Sequence, residues 1–72
     1  MNLTEVQFKQ VPDTQEDNAN GVLGRWDIYS QDGTEQLGRM VEWEDAYRVT
    51  DFSDPLRRIY TKLEIESLPN FK

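Results

Sequence analysis

The stretch GRWDIYSQDGTEQLGRMVEW, residues 24–43, decides the fold because its pattern is typical of a β-hairpin. Asp32-Gly33 at its centre favours a two-residue type I′ turn, in which both loop residues have positive φ angles. Segments rich in apolar and aromatic residues flank this turn on both sides. We therefore predict a hairpin over residues 22–43, with Asp32 and Gly33 as its loop.

The register predicted from this turn separates an apolar face of the hairpin from a mixed face. Side chains alternate across a strand, so Trp26 and Trp43 are expected on the same, apolar face. A one-residue slip would scramble this division, so the hydrophobic pattern and the turn favour one register. The predicted pairs are Ile28–Leu37, Trp26–Arg39, Gly24–Val41 and Val22–Trp43 on the apolar face, and Tyr29–Gln36, Asp27–Gly38, Arg25–Met40 and Leu23–Glu42 on the mixed face.

A third strand is predicted to follow the hairpin through a three-residue loop at residues 44–46. Trp43 would then face Tyr47, and Val41 would face Val49, which gives an aromatic and an aliphatic cross-strand pair. The loop lacks the glycine that such loops prefer. The same register predicts two pairs of opposite charge, Glu42–Arg48 and Arg39–Asp51.

The N-terminal segment, residues 3–11, is predicted to form an edge or near-edge strand. Val6 and Phe8 alternate with polar residues, as expected for a strand with one buried side. Pro12 ends the strand because proline has no N–H group to donate to a neighbouring strand. Residues 12–21, PDTQEDNANG, are polar without periodicity and are predicted to form a loop.

The last part of the chain is compatible with three arrangements. In the first, a helix begins at Pro55 and presents an apolar stripe. In the second, residues 56–60 form another strand, and Thr61 with Glu64 forms the capping box of a short helix. In the third, residues 59–65 alternate as one strand. We prefer the second arrangement because it extends the meander and uses the capping box.

Together these elements predict an α+β fold: a small twisted antiparallel β-meander of three to four strands with one short C-terminal helix. The whole chain of 72 residues is expected to form one small domain. In the preferred arrangement Asp51 faces Arg58, Val49 faces Tyr60, and Phe71 packs back onto the sheet. Such an open sheet leaves its edges exposed, so a partner protein or a second copy in a homodimer would complete it.

The residue types in the chain argue against catalysis and metal binding. The chain has no histidine and no cysteine, so it lacks the most versatile general base, the most reactive nucleophile and the usual zinc ligands. The sequence also lacks a glycine-rich phosphate-binding loop. We therefore predict no enzymatic activity, no cofactor and no metal site.

The charge of the chain determines which partners are expected. Fourteen acidic and eight basic residues give a net charge of −6, which argues against direct binding of nucleic acid or of anionic membranes. An acidic chain favours a protein partner with a basic surface. No apolar run approaches the roughly 20 residues of a membrane helix, and the N-terminus lacks a signal-peptide pattern. A soluble, cytoplasmic protein is therefore predicted.

The mixed face of the predicted hairpin supplies the candidate binding site. Arg25, Tyr29, Met40 and Leu23 would form a small patch on it, and arginine, tyrosine and methionine are enriched in protein interfaces. The patch is exposed if the C-terminal helix covers the tryptophan face; if the helix covers the patch instead, the tryptophan face is open or is buried against a partner, and the sequence does not decide between the two. The leading hypothesis is therefore a small non-catalytic protein–protein interaction module, which would act as an adaptor, an accessory subunit or a regulator of a larger assembly.

Two other functions are compatible with the sequence. In one, the protein mimics nucleic acid and inhibits a nucleic-acid-binding protein, with carboxylates in place of phosphates. In the other, an aromatic sheet face binds single-stranded nucleic acid by stacking, although the simpler interpretation of that face is the hydrophobic core. The carboxylates of the first alternative are Asp13, Glu16, Asp17, Glu42, Glu44 and Asp45, and the aromatic residues of the second are Trp26, Trp43 and Tyr47.

Overall fold

The computed structural model describes residues 1–12, 21–54 and 57–71, and its main feature is a sheet of five antiparallel strands. The elements are a 3-10 helix at Leu3–Glu5, β1 at Val6–Val11, β2 at Gly24–Ser30, β3 at Gln36–Glu42, β4 at Ala46–Asp51, β5 at Arg57–Thr61 and the helix α1 at Lys62–Glu66. Strands that are neighbours in sequence are also neighbours in the sheet. The sheet is therefore a meander with β1 and β5 at its edges.

The number of strands is five, not the three to four that the sequence predicted. β1 pairs with β2 along its full length, and β5 pairs with β4, so both terminal strands join one sheet. The α+β class, the antiparallel meander, the edge position of β1 and the short C-terminal helix are confirmed. Most of the predicted polar loop, residues 13–20, lies outside the described residues.

The loop of the β2–β3 hairpin is longer than the predicted type I′ turn. Gly33 has a φ of +77° but Asp32 has a negative φ, so these two residues do not form that turn. The N–H of Gly33 donates to the carbonyl of Ser30, and the N–H of Ser30 donates to the carbonyl of Glu35. The Asp32 carboxylate stabilises the loop because it accepts hydrogen bonds from the hydroxyl groups of Ser30 and Thr34.

A β-bulge beside this loop shifts the register of the hairpin by one residue. Tyr29 pairs with Gln36 as predicted, but Ile28 pairs with Gly38, so Leu37 has no partner on β2. A bulge of this kind places two residues of one strand opposite one residue of the other. The predicted register is therefore wrong over the rest of the hairpin.

The shifted register places the two tryptophans on opposite faces of the sheet, so the prediction of one shared face is wrong. Trp26 pairs with Met40 on the face that α1 covers. Trp43 lies on the other face, where the Arg48 guanidinium is 5.0 Å from its ring centroid. A shift of one residue exchanges the faces because successive side chains point to opposite sides.

Counted from the hydrogen bond between Trp43 and Ala46, the β3–β4 turn has two loop residues, Glu44 and Asp45, instead of the predicted three. The N–H of Trp43 donates to the carbonyl of Ala46 across this loop, at 2.8 Å. The strands therefore pair one residue away from the predicted register, and the predicted aromatic and aliphatic pairs are wrong. The observed pairs are Gly38–Asp51, Arg39–Thr50, Met40–Val49, Val41–Arg48 and Glu42–Tyr47.

The preferred arrangement of the C-terminal part is confirmed. The Thr61 hydroxyl accepts a hydrogen bond from the Glu64 N–H, and the Glu64 carboxylate accepts one from the Thr61 N–H, so the capping box starts α1. β5 is shifted by two residues from its predicted register, so Val49 faces Arg58 instead of Tyr60. A shift of two keeps each side chain on its predicted face. In the described part of the chain, no helix is long and apolar enough to span a membrane.

The hydrophobic core lies between the sheet and α1. Ile65 of α1 is fully buried and packs with residues of the covered sheet face. Phe71 folds back onto the same face as predicted, with its ring centroid 5.4 Å from those of Phe8 and Trp26. Burial of these apolar groups supplies the main favourable free energy of folding. The buried residues of the core are Val6, Ile28, Met40, Tyr47, Val49 and Ile65.

Candidate functional site

The face of the sheet turned away from α1 carries the candidate site, and we call it the open face. Its side chains stand in two rows that cross all five strands, because paired residues lie side by side. The first row contains aliphatic residues and arginines in alternation, and the second contains mainly polar residues. The rows are Val11, Arg25, Val41, Arg48 and Ile59, and Lys9, Asp27, Arg39, Thr50 and Arg57.

A groove of about 310 Å³ lies on the open face. Four consecutive strands, β2 to β5, each contribute one arginine to its lining, and Trp43 and Val41 contribute apolar surface. Guanidinium groups donate hydrogen bonds in a planar fork that matches carboxylates and phosphates. The groove is therefore suited to an anionic ligand with apolar parts. It is lined by Val22, Arg25, Arg39, Val41, Trp43, Arg48, Thr50 and Arg57.

The open face is cationic although the protein as a whole is acidic. Its two rows hold five of the eight basic residues and one carboxylate, that of Asp27. Among the described residues, Arg39, Arg48 and Arg57 form no ion pair. Guanidinium groups are cationic in proteins, so these side chains attract anionic groups to the groove.

Three cations of the open face rest on aromatic rings. A cation–π contact neutralises no charge and leaves N–H groups of the cation available to a ligand. The rings therefore orient these cations without neutralising them. The distances from cation to ring centroid are 5.0 Å for Arg48 on Trp43, 5.6 Å for Arg39 on Phe52 and 4.6 Å for Lys9 on Tyr29.

The predicted binding patch is divided between the two faces. Arg25 lines the groove, and Tyr29 lies beside Lys9. Met40 is 0% exposed and belongs to the core, so its assignment to an exposed patch with Arg25 is wrong. The one-residue register shift is the physical reason. Leu23 precedes β2 and is 53% exposed.

The predicted acidic residues have different environments. Glu44 and Asp45 are exposed in the β3–β4 loop. Glu42 forms an ion pair with Lys62 at 2.6 Å, so one proposed phosphate mimic is already neutralised. No group of three or more described acidic side chains is arranged to hold a metal ion. Asp13, Glu16 and Asp17 lie outside the described residues.

The predicted stacking surface for single strands is also divided, because Trp26 and Tyr47 lie on the covered face. Tyr47 is 1% exposed, and its hydroxyl donates to the Glu66 carboxylate at 3.3 Å. Burial, together with the negative charges of Glu42 and Glu66, raises the pKa of Tyr47 above its ordinary value. The Lys62 ammonium lies 4.8 Å from the ring centroid. This polar cluster joins α1 to the sheet.

Two larger concavities, of about 470 and 520 Å³, lie on the covered side. The first is bordered by Phe8, Trp26 and Phe71, whose rings already pack against one another in the core. The second lies between the N-terminal residues and α1, and apolar side chains form much of its wall. Neither concavity gathers charges of one sign. We therefore place the candidate site in the smaller groove of the open face.

The fold and the groove define a class of protein: a five-stranded antiparallel meander with one face covered by a helix and the other face rich in arginine. No known protein family, curated protein or solved structure matches the chain. Its function is therefore inferred from the groove itself.

Proposed function

We propose that this protein is a small non-catalytic protein–protein interaction module, which acts as an adaptor, an accessory subunit or a regulator of a larger assembly. Its partner would bind on the open face. The observation that supports this proposal is the groove in which four arginines surround Trp43 and Val41. Arginine and tryptophan are over-represented among the residues that dominate the binding energy of protein interfaces.

The groove is better suited to binding than to catalysis. The polar groups that the described residues contribute to the groove are guanidinium groups and the Thr50 hydroxyl, and neither acts as a general base near neutral pH without an activating neighbour. The chain contains no histidine or cysteine that could activate the hydroxyl. The proposal of a non-catalytic role rests on these residue types.

The charge of the groove changes the partner that we expect. The net charge of −6 favours a basic partner, which exposed carboxylates such as those of Glu44 and Asp45 would attract. The open face is cationic instead, so we propose that the surface docking on it is acidic. Arg25 and Tyr29 of the predicted patch remain in the proposed interface, now with Arg39. A cytoplasmic location remains a prediction from the sequence.

Affinity capture from a lysate of the source organism tests the proposal, with the wild-type protein compared with an Arg39→Ala/Arg48→Ala variant. Both side chains are exposed, so the variant should stay folded, and thermal unfolding checks this. We expect the wild-type protein to hold a partner that the variant loses.

The control for this experiment is Arg58→Ala. Arg58 is an exposed arginine that pairs across the strands with buried Val49, on the covered side. This variant should hold the partner as well as the wild-type protein does. A partner held equally by the wild-type protein and by the Arg39→Ala/Arg48→Ala variant would contradict docking on the open face.

A further inference from the structure

We infer that the groove of the open face binds an acidic segment of the partner protein, an extended stretch whose aspartate or glutamate side chains pair with Arg39, Arg48 and Arg57. This inference rests on the proposed function and specifies the chemistry of the partner. The three arginines are exposed and, within the described part of the chain, form no ion pair. Carboxylates suit them because both groups are planar and form paired, charge-assisted hydrogen bonds.

The spacing of the arginines fits an extended peptide that crosses the strands. Arg39 and Arg57 stand in one row with Thr50 between them, so their Cα atoms lie about 10 Å apart, twice the distance between neighbouring strands. Arg48 stands on the middle strand of the three, in the adjacent row. Side chains on one side of an extended peptide repeat about every 7 Å. The arginine side chains are long enough to bridge the gap between this peptide repeat and the wider spacing of the arginine Cα atoms. Carboxylates at alternate peptide positions therefore reach this cluster.

Trp43 and Val41 supply the apolar part of the groove. Val41 stands between Arg25 and Arg48 in its row, and the Trp43 ring lies against the Arg48 guanidinium. An apolar or aromatic residue of the acidic segment would pack on this surface. Such contacts persist when salt screens the charges. Binding is therefore expected to weaken as the salt concentration rises but not to vanish.

Single-stranded nucleic acid carries the same sign of charge but fits the groove less well. Its phosphates continue beyond a groove of about 310 Å³, and the exposed carboxylates of Glu44 and Asp45 follow Trp43 directly in the chain. Sheets that bind single strands stack successive bases on several rings. Among the described residues of the groove lining, Trp43 alone carries an aromatic ring, and the Arg48 guanidinium already lies 5.0 Å from its centroid.

Titration with an oligoglutamate peptide at low salt tests the inference, with calorimetry for the affinity and amide chemical shifts for the site. We expect binding, with the largest shifts on β3, β4 and β5 around the groove. Oligothymidylate of the same charge is titrated in parallel. Tighter binding of oligothymidylate than of oligoglutamate overturns the inference in favour of nucleic acid. Failure of oligoglutamate to bind at low salt also overturns it.

Two neighbouring residues provide a matched pair of variants, Arg57→Glu and Arg58→Glu. Both side chains are exposed, and both variants change the net charge equally. Arg57 pairs with Thr50 on the open face, whereas Arg58 pairs with Val49 on the covered side. We expect Arg57→Glu to weaken oligoglutamate binding about tenfold, since one charge-assisted contact is lost, and Arg58→Glu to weaken it less than about twofold. Equal weakening by both variants would show a general charge effect and overturn the inference.

The proposed function and this inference fail on different results. If the Arg39→Ala/Arg48→Ala variant loses the captured partner but the wild-type protein does not bind oligoglutamate, the open face is an interface that recognises something other than carboxylates. The inference then fails while the proposed function stands. If that variant keeps the partner, the proposed docking on the open face fails, and the inference fails with it.

Discussion

The covered face and the open face of the sheet come from the same five strands but have opposite compositions. In β3, Met40 is fully buried, whereas its chain neighbours Arg39 and Val41 line the groove. Each strand supplies both faces because its side chains alternate. Core residues and residues proposed to bind a partner therefore alternate along each strand, and their side chains point to opposite faces of the sheet. A substitution in the groove can for this reason leave the core unchanged.

The covered face is closed by both ends of the chain. The Asn70 side-chain amide donates to the carbonyls of Leu3 and Val6, at 2.7 Å in each case, which attaches the C-terminal tail to the N-terminal segment. The N-terminal amino group lies 3.1 Å from the Asp51 carboxylate. None of these groups lines the groove. The contacts that stabilise the fold and the groove proposed to bind a partner therefore lie on opposite sides of a very small sheet.

Met40→Ala is expected to have the largest effect and tests this division directly. Met40 is 0% exposed, and truncation of a buried methionine costs about 2–5 kcal/mol because a cavity remains. Leu23→Ala is the control, since Leu23 came from the same predicted patch but is 53% exposed. The control should change stability by about 0.5 kcal/mol or less. Chemical denaturation measures both values, and similar losses in the two variants would contradict the assignment of Met40 to the core.

Gly38→Ala is expected to have the second largest effect on stability. It tests how closely β3 approaches β4 on the covered side. A Cβ atom at Gly38 would collide with the carbonyl oxygen of Thr50, which is a backbone atom and cannot rotate away. Overpacking of this kind costs about 1–3 kcal/mol. The comparison variant is Gly24→Ala, in which the added Cβ would lie 2.9 Å from the Trp26 ring. The Trp26 side chain can move away from the added Cβ atom, so Gly24→Ala should destabilise the protein less than Gly38→Ala.

Denaturation midpoints of these two glycine variants provide the measurement. Gly38→Ala should unfold at a lower denaturant concentration than Gly24→Ala. A Gly38→Ala protein as stable as the wild-type protein would contradict the observed register of β3 on β4, and with it the division of residues between the two faces.

The C-terminal part of the fold could be predicted from the sequence because its determinants are local. A threonine and a glutamate three residues apart are enough to specify the capping box of Thr61 and Glu64. The register of β5 was two residues from the prediction, which left the faces unchanged. Local patterns therefore predicted the strand and the helix of this region correctly, although the register of β5 on β4 differs from the prediction by two residues.

The hairpin faces could not be predicted because they depend on a bulge. Asp32-Gly33 favours a tight turn in isolation, but the hydrogen bonds of Asp32 close a longer loop, and Leu37 becomes an extra residue on β3. Gly38 then fits where a side chain would collide with β4. The register is therefore set by contacts between strands, and the residue pattern along a single strand contains no information about such contacts.

The same bulge explains why the groove was missed. In the predicted register Arg25 and Arg39 lie on different faces, so the arginines do not gather. The sequence did contain a relevant pattern, since each of β2 to β5 carries an arginine. With the registers of β2 on β3 and of β3 on β4 each corrected by one residue, alternation alone would have placed Arg25, Arg39, Arg48 and Arg57 together.

The smallest expected effect concerns Asp32, whose loop borders the bulge. Hydrogen bonds from the Ser30 hydroxyl first, and then from Thr34, lower the pKa of Asp32 from 3.8 to about 2. Because the folded-state pKa is lower than the unfolded one, the charged carboxylate contributes stability that is fully present above pH 3.8 and is lost as the pH falls towards 2. Ser30→Ala removes the largest cause, so the pKa of Asp32 should rise and this acid-dependent loss of stability should shrink.

Carboxyl chemical shifts followed between neutral and strongly acidic pH measure the change at Asp32, and Asp51 serves as the internal control. Hydrogen bonds from Ser53 hold the pKa of Asp51 below its ordinary value, with a smaller effect of the N-terminal amino group, so Ser30→Ala should leave its titration unchanged. If Asp32 titrates near 3.8 in the wild-type protein, its carboxylate does not hold the longer loop. The hydrogen bonds from Ser30 and Thr34 would then not account for the length of this loop.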